Sequence, residues 1–418
     1  MHTRSHTRSV AIPRPPQCVA ALLPPEIIDC IFSHFDFDYS TNASGQDRIE
    51  RGSNLSNMSV IAKGWKGPAR RLLCRTVRID RWDQMAEGVP EWARGGLQNV
   101  GINDYIWATV QTQEAASATF RFLTNAPNLR VLRLSALPFT SFSSSESTSL
   151  RTTHFLPLLR DLTVFSNTPF PHSMIFDFLA TSNRQISRFR VGNAFETAPP
   201  IPGDRLDFGG NLRYLRYGGL PSLETLQLGS LAGLKELFVE RVFNQSTEQA
   251  MELLSVVAPT LEKLGVCDGE NLTMLAESLP LLIRLTQLLL PDIPATLTSL
   301  PLPSSLVSLQ IFSDDNLRPL LDRWNAKPAL LPATLQHITI LLVHDFRTLE
   351  RLPPIATFRI LYHERTEALL HHLAPRTVPF KTLEVYFRDH HLDRVAAIGA
   401  ECKRLGVKFC RRFEQWEV

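Results

Sequence analysis

His363-Glu364-Arg365-Thr366-Glu367 comes within one residue of a zinc-binding His-Glu-x-x-His. A glutamate stands where the second imidazole is needed, so the pair of imidazoles that would grip zinc from one helix face is missing. His371-His372 and His390-His391 are adjacent pairs. Neighbours on one helix point in different directions, so solvated helix surface accounts for them better than metal binding. Gly229-Ser230-Leu231-Ala232-Gly233 carries its serine one place too early for a Gly-x-Ser-x-Gly nucleophile turn and reads as an ordinary turn. Asp36-Phe37-Asp38 opens like a calcium loop, but Thr41 takes the sixth position, where the sharp bend requires glycine. No phosphate-cradling glycine loop of either common type occurs. The expectation is a protein that is not an enzyme, with no catalytic residues, no metal and no cofactor.

The groups suited to binding are more regular. Arg133, Arg188, Arg190 and Arg216, with Tyr214 among them, fall at the third or fifth place of segments patterned Leu-x-x-Leu-x-Leu. Arginine forks match carboxylate and phosphate oxygens two at a time. These five residues are therefore the candidate substrate-binding set, for an acidic or phosphorylated segment of a protein. The plainer reading is solubilising strand surface, with some arginines paired to Asp161 and Glu224.

The elements that must position them recur along the chain. CRTVRI (74–79), LQNVGI (97–102), LRVLRL (129–134), LRDLTV (159–164) and ISRFRV (186–191) come first. LRYLRY (212–217), LETLQL (223–228), LKELFV (234–239), LEKLGV (261–266) and LTQLLL (285–290) follow. LVSLQI (306–311), LQHITI (335–340), IATFRI (355–360) and FKTLEV (380–385) close the series. Most spacings fall between 20 and 32 residues, the period of leucine-rich repeats with one short strand and a helical or irregular return each. Alternation puts the leucines on one face of each strand, and one repeat alone cannot cover them, so neighbours stack. Residues 113–123 and 249–257 have helical apolar spacing and are predicted returns. The two spacings of 11 residues around LETLQL are too short for a helix and predict tight turns or a local hairpin. The serine-rich run 141–149 reads as an exposed, mobile loop, and residues 405–409 as a last strand that caps the stack.

The remaining intervening residues on that face include Val131, Asp161, Thr163, Thr225, Gln227, Glu236, Phe238, Lys263, Gln287 and Leu289. Ser308, Gln310, His337, Thr339, Thr382 and Glu384 continue it, and the later strands are nearly neutral. In a leucine-rich repeat this is the concave face.

Bulk properties agree with a globular chain: 418 residues, 44% hydrophobic, 20% charged. A net charge of +3 is too small to argue for nucleic acid, and none is expected as a partner. The longest apolar run, 279–290, is broken by Arg284 and Gln287 and falls short of the ~20 residues a membrane span needs, so no membrane is expected. Cys18, Cys30, Cys74, Cys267, Cys402 and Cys410 show no Cys-x-x-Cys spacing and read as reduced thiols of an intracellular protein, in cytoplasm and/or nucleus. Cys402 and Cys410 read as packing residues near the C-terminal cap.

Residues 1–21 read as a disordered basic tail. Beyond it, Pro25 suits the first turn of a helix carrying Ile27 and Ile31 on one face, with Ile28, Phe32 and Phe35 on another. A helix apolar on more than one face must be covered from more than one side. A polar loop over 36–52 separates it from a second helix capped by Asn54, with Leu55, Met58, Val60, Ile61 and Trp65. Pro68 opens a third helix that leads through Arg70 and Arg71 into Arg75-Thr76-Val77.

Residues 22–76 thus resemble an F-box, above all those of fungal proteins, through Leu23, Pro24, Glu26, Ile27, Ile31 and Phe32, then Leu55, Val60 and Trp65, then Ala69-Arg70-Arg71-Leu72-Leu73. The resemblance implies a three-helix domain, with 36–52 as an inserted loop longer than is usual in the family. It implies docking on a Skp-type adaptor, and through it a cullin, by Leu23, Pro24, Ile27, Ile31, Phe32, Leu55, Val60 and Trp65. The expected fold is α/β: an N-terminal F-box fused to an irregular leucine-rich-repeat solenoid over 77–418. The expected function is substrate recognition for an SCF-type ubiquitin ligase. The alternative is a non-ligase repeat scaffold for protein–protein interaction, in which the helices only cap the solenoid.

Overall fold

The computed structural model describes residues 75–79, 96–103, 112–135, 142–152, 156–165, 179, 183–192, 205–218, 226–241, 247–266, 278–290, 302–313, 317–342, 352–361, 380–387 and 392–413. Among them, fourteen strands form a single parallel sheet whose strand order is the chain order. The first five are β1 (Thr76–Ile79), β2 (Asn99–Asn103), β3 (Val131–Ser135), β4 (Asp161–Phe165) and β5 (Arg188–Gly192). Next are β6 (Tyr214–Gly218), β7 (Glu236–Arg241), β8 (Lys263–Val266), β9 (Gln287–Leu290) and β10 (Ser308–Ser313). The last are β11 (His337–Leu342), β12 (Ile355–Leu361), β13 (Phe380–Phe387) and β14 (Lys408–Phe413).

Parallel neighbours need a return between them. Among the described residues, five helices are given with both ends, each in a return: α1 (Thr112–Thr124), α2 (Ser144–Thr152), α3 (Thr247–Val257), α4 (Leu317–Ala326) and α5 (Leu392–Arg404). Short 3-10 turns are also described in the returns, at Asn183–Gln185, Leu228–Leu231, Leu279–Leu281 and, following α4, Pro328–Leu330.

Each strand brings its leucine-type residues to the same face. Leu132, Leu162, Phe189, Leu215, Leu237 and Leu264 stand in one row across β3 to β8, and all are buried. Leu288, Leu309, Ile338, Phe358 and Leu383 continue the row to β13, also buried. Full burial of each such side chain contributes roughly 1.5–3 kcal/mol, but only when a neighbouring repeat covers it.

The turn entering each strand is tied to the repeat before it. The N–H groups of Arg130 and Val131 both donate to the Gln98 carbonyl, those of Arg160 and Asp161 to Arg130, and those of Ser187 and Arg188 to Arg160. The same paired donation runs on at each repeat boundary as far as Gln336 and His337, which both reach the Val307 carbonyl. Hydroxyls reinforce it: Thr260 Oγ1 donates to the Leu234 carbonyl at 2.8 Å, and Thr334 Oγ1 to that of Leu306 at 2.8 Å.

Three expectations need correction. Residues 144–149 of the serine-rich run are in helix α2, not a loop. Ser143-x-x-Glu146 is a capping box: the Glu146 N–H reaches Ser143 Oγ at 3.4 Å, and Ser143 N–H donates to Glu146 Oε2 at 2.9 Å. Buried Phe142 and Leu150 hold the two ends of this polar helix to the core. Burial works against the Glu146 charge, but hydrogen bonds from Ser117 and Ser143 and the nearby Arg121 outweigh it, and its carboxyl is held below the ordinary range. The described part of LETLQL, residues 226–228, is not in a strand of the sheet. Leu226 makes one isolated parallel bridge to Leu206, and the chain then enters the 3-10 turn at Leu228, so Leu212 and Leu234 begin adjacent repeats. Residues 405–407 are a helix end rather than a strand. Gly406 has φ 71°, and the Val407 N–H reaches the Cys402 carbonyl at 2.9 Å, a Schellman closure of α5 that delays β14 to Lys408.

Ser143→Ala removes half of the capping box and should cost about 1 kcal/mol locally, which is about fivefold faster amide exchange over 144–150. Hydrogen exchange by mass spectrometry checks this; unchanged rates in α2 with unchanged global stability would contradict it.

Candidate recognition surface

Alternation leaves two rows on the face turned away from the leucine core. In register, the first runs Val131, Asp161, Arg188, Tyr214, Glu236, Lys263 and the second Arg133, Thr163, Arg190, Arg216, Phe238, Gly265. Adjacent members of a row are one strand spacing apart, about 4.8 Å.

This register gathers four of the five expected binding residues. The guanidinium of Arg188 lies 4.8 Å from the Tyr214 ring centre and that of Arg190 4.9 Å from it. Arg216 lies 5.8 Å from the Phe165 ring, and Tyr214 stacks on Phe238 at 5.5 Å with 31° between planes. Cations over aromatic faces attract electrostatically, which lets three guanidinium groups share a small area. Arg133 is left two strands away from Arg190 in the same row, outside this group.

The cluster is packed. Arg190, Arg216 and Tyr214 are 6%, 9% and 7% exposed, whereas Arg188 and Phe238 are half-buried. Asp161, opposite Arg188 in the register, is also buried and accepts a long 3.5 Å hydrogen bond from Thr163 Oγ1. In the register Asp161 flanks the three guanidinium groups on their β4 side. Such a site suits an anionic group narrow enough to reach between the side chains.

A second polar group lies on β11 to β13, among the later strands expected to be nearly neutral. His337, Thr357 and Thr382 align in the first row, and Thr339, Arg359 and Glu384 in the second. Arg359 Nε donates to Glu384 Oε2 at 2.7 Å, with Thr339, Thr357 and Glu384 buried. His337 Nδ1 is buried without a hydrogen-bond partner among the described residues. Burial, then the Arg359 charge, lowers the His337 pKa, with Glu384 opposing. Thr357 and Arg359 were overlooked although they are the third and fifth residues of IATFRI; the positional rule finds them once applied there. Gly265, the fifth residue of LEKLGV, was overlooked in the same way.

The 229–233 segment is the turn expected of it. Ser230 is buried in the 3-10 turn, its hydroxyl donating to the Gln227 carbonyl at 2.7 Å. Cys402, in the last turn of α5, is buried, and desolvation, then Glu401, pushes its thiol up to about 11. Cys410 instead stands in the second outer row beside Glu384. Among the described residues, no group of three or more His, Cys, Asp or Glu is placed to hold a metal ion. Among them too, no helix is long and apolar enough to cross a membrane.

The expected adaptor-binding residues, Leu23, Pro24, Ile27, Ile31, Phe32, Leu55, Val60 and Trp65, lie outside the described residues, as do Thr225, the His pairs and the 363–367 segment. The sequence matches no model of a known protein family and no curated protein.

The unfolded chain protonates His337 near the ordinary imidazole value of 6.5, the folded chain only at lower pH. Between the two, the unfolded state binds more protons, so stability is lost as pH falls below about 6.5. Denaturant unfolding at about pH 7.5 and about pH 5.5 should show a smaller pH difference for His337→Asn than for wild type. An identical difference would contradict this assignment.

Proposed function

We propose that the protein is a substrate receptor: an F-box/leucine-rich-repeat subunit of an SCF-type ubiquitin ligase. Residues 22–76 hold a Skp-type adaptor, and the outer face of the sheet holds a protein target. The protein does not transfer ubiquitin itself. It acts by proximity, holding the target where the ligase can reach it, and that requires a rigid connection between the two binding elements.

The observation that carries the recognition half is the packed group of Arg188, Arg190 and Arg216 around Tyr214 and Phe165, which three consecutive strands, β4 to β6, bring to one place. The adaptor half rests on the F-box resemblance of residues 22–76. Supporting both, β1 starts at Thr76, where the F-box-like segment ends, so no spare chain separates the two.

Two measurements test the halves separately. Wild-type protein should retrieve a Skp-type adaptor and a cullin in a pull-down, and Ile27→Asp/Ile31→Asp should lose both; a wild type that retrieves no adaptor overturns the ligase reading. Arg188→Glu/Arg190→Glu should weaken retention of immobilised phosphoserine- or glutamate-bearing peptides at least about tenfold, the size of one lost charge-assisted contact. Unchanged retention would assign these arginines to strand surface only.

A further inference from the structure

The outer face changes character along the sheet, and the change is abrupt. Positive charge is concentrated on β5 and β6, at Arg188, Arg190 and Arg216. On β7 and β8 the first row is occupied by Glu236 and Lys263, which neutralise each other in a 3.2 Å ion pair. The second row there is apolar: Phe238, Gly265 and, on β9, Leu289.

Gly265 shapes this apolar stretch. A Cβ at that position would collide with the Phe238 ring, so only glycine lets the ring lie down over β8. Lying there, the ring meets Tyr214 on one side, at 5.5 Å, and Leu289 follows in the same row two strands on. Phe238 and Leu289 are both half-buried, so each keeps a face for a partner. The result is an aromatic and aliphatic ledge that begins where the arginine group ends.

We propose that β5 to β9 read one extended segment of a protein partner by two features at a fixed separation. The first is an anionic side chain, phosphoserine or glutamate, held by Arg188, Arg190 and Arg216. The second is a large apolar side chain laid on the Phe238–Leu289 ledge. The separation follows from the strands. The arginine group is centred between β5 and β6 and the ledge on β8, about two and a half spacings or ~12 Å away. An extended chain advances about 3.3 Å per residue, so the two features stand three or four residues apart. This deepens the receptor reading and rests on it, in that the outer face must be where a protein partner binds.

The test uses the full chain and a synthetic nonapeptide array. Each peptide carries one phosphoserine, glutamate or serine and one leucine or phenylalanine, at separations from one to eight residues, in a background of alanine and glycine. Anionic peptides with a separation of three or four should be retained about fivefold better than the others, the gain from half-burying one apolar side chain. Phe238→Ser should erase the preference for separation while leaving dependence on the anion. Gly265→Ala, which displaces the same ring, should do the same, and circular dichroism identifies either variant that fails to fold. Retention of phosphoserine peptides alone, or of phosphoserine and glutamate peptides equally, supports the proposal and identifies the anion. Anion-dependent retention with no preferred separation, or with one at seven or eight, overturns the two-feature readout and leaves the anion site standing. Retention that ignores the anion overturns both.

Discussion

One carbonyl accepting two N–H groups, repeated at the entrance to strand after strand, is the contact on which the rest of the molecule hangs. The Arg75 carbonyl takes Gln98 and Asn99, the Gln98 carbonyl takes Arg130 and Val131, and the donors of one step supply the acceptor of the next. Buried backbone groups must be paired, and here the pairing can be met only by the preceding repeat. The turn therefore cannot slide along the strand before it. A slip of one residue would turn the leucine row outward and bury the arginine row. The leucine core and the positive cluster are thus two outcomes of a single registration.

That registration explains how residues far apart in sequence act as one surface. Arg190 and Arg216 belong to different repeats, yet the ladder sets them side by side, and Tyr214 sits where both Arg188 and Arg190 can lie against it. Partial compensation comes from Asp161, on the next strand back. At the far end, Arg359 is matched by Glu384. One architecture carries both a charged and a neutral region because the outer residues do not take part in holding the strands together. Their chemistry is free to vary while the inward leucines are not.

Most of the sheet was legible in the sequence because Leu-x-x-Leu-x-Leu reports burial directly. Where the pattern lapsed, local hydrogen bonding took over. LETLQL has the right leucines, but too few residues flank it for a separate repeat, so Leu226 makes only a bridge and Leu228 enters a turn. Residues 141–149 look like a loop because serine disfavours helix interiors. The Ser143–Glu146 pair and the anchors Phe142 and Leu150 reverse that preference. The identities of the clustered arginines were readable from the third and fifth positions. That they stack on Tyr214 and Phe165 and are nearly buried was not, since lateral packing depends on side chains of neighbouring repeats. Gly265 was invisible for a related reason: its role lies in what it allows Phe238 to do.

Among the described residues, the elements in the returns range from a three-residue 3-10 turn at Asn183–Gln185 to the thirteen-residue helix α1, yet the step from strand to strand is the same. The sheet is in this sense a ruler whose marks are spaced by backbone geometry, not by loop length. Lengthening a return leaves every mark in place. Gaining or losing a whole repeat between β6 and β9 would instead move the ledge by one mark relative to the arginines, about 4.8 Å, or one to two residues of an extended ligand. A family of such chains can therefore change which spacing it reads by whole-repeat duplication or loss, with no redesign of either feature.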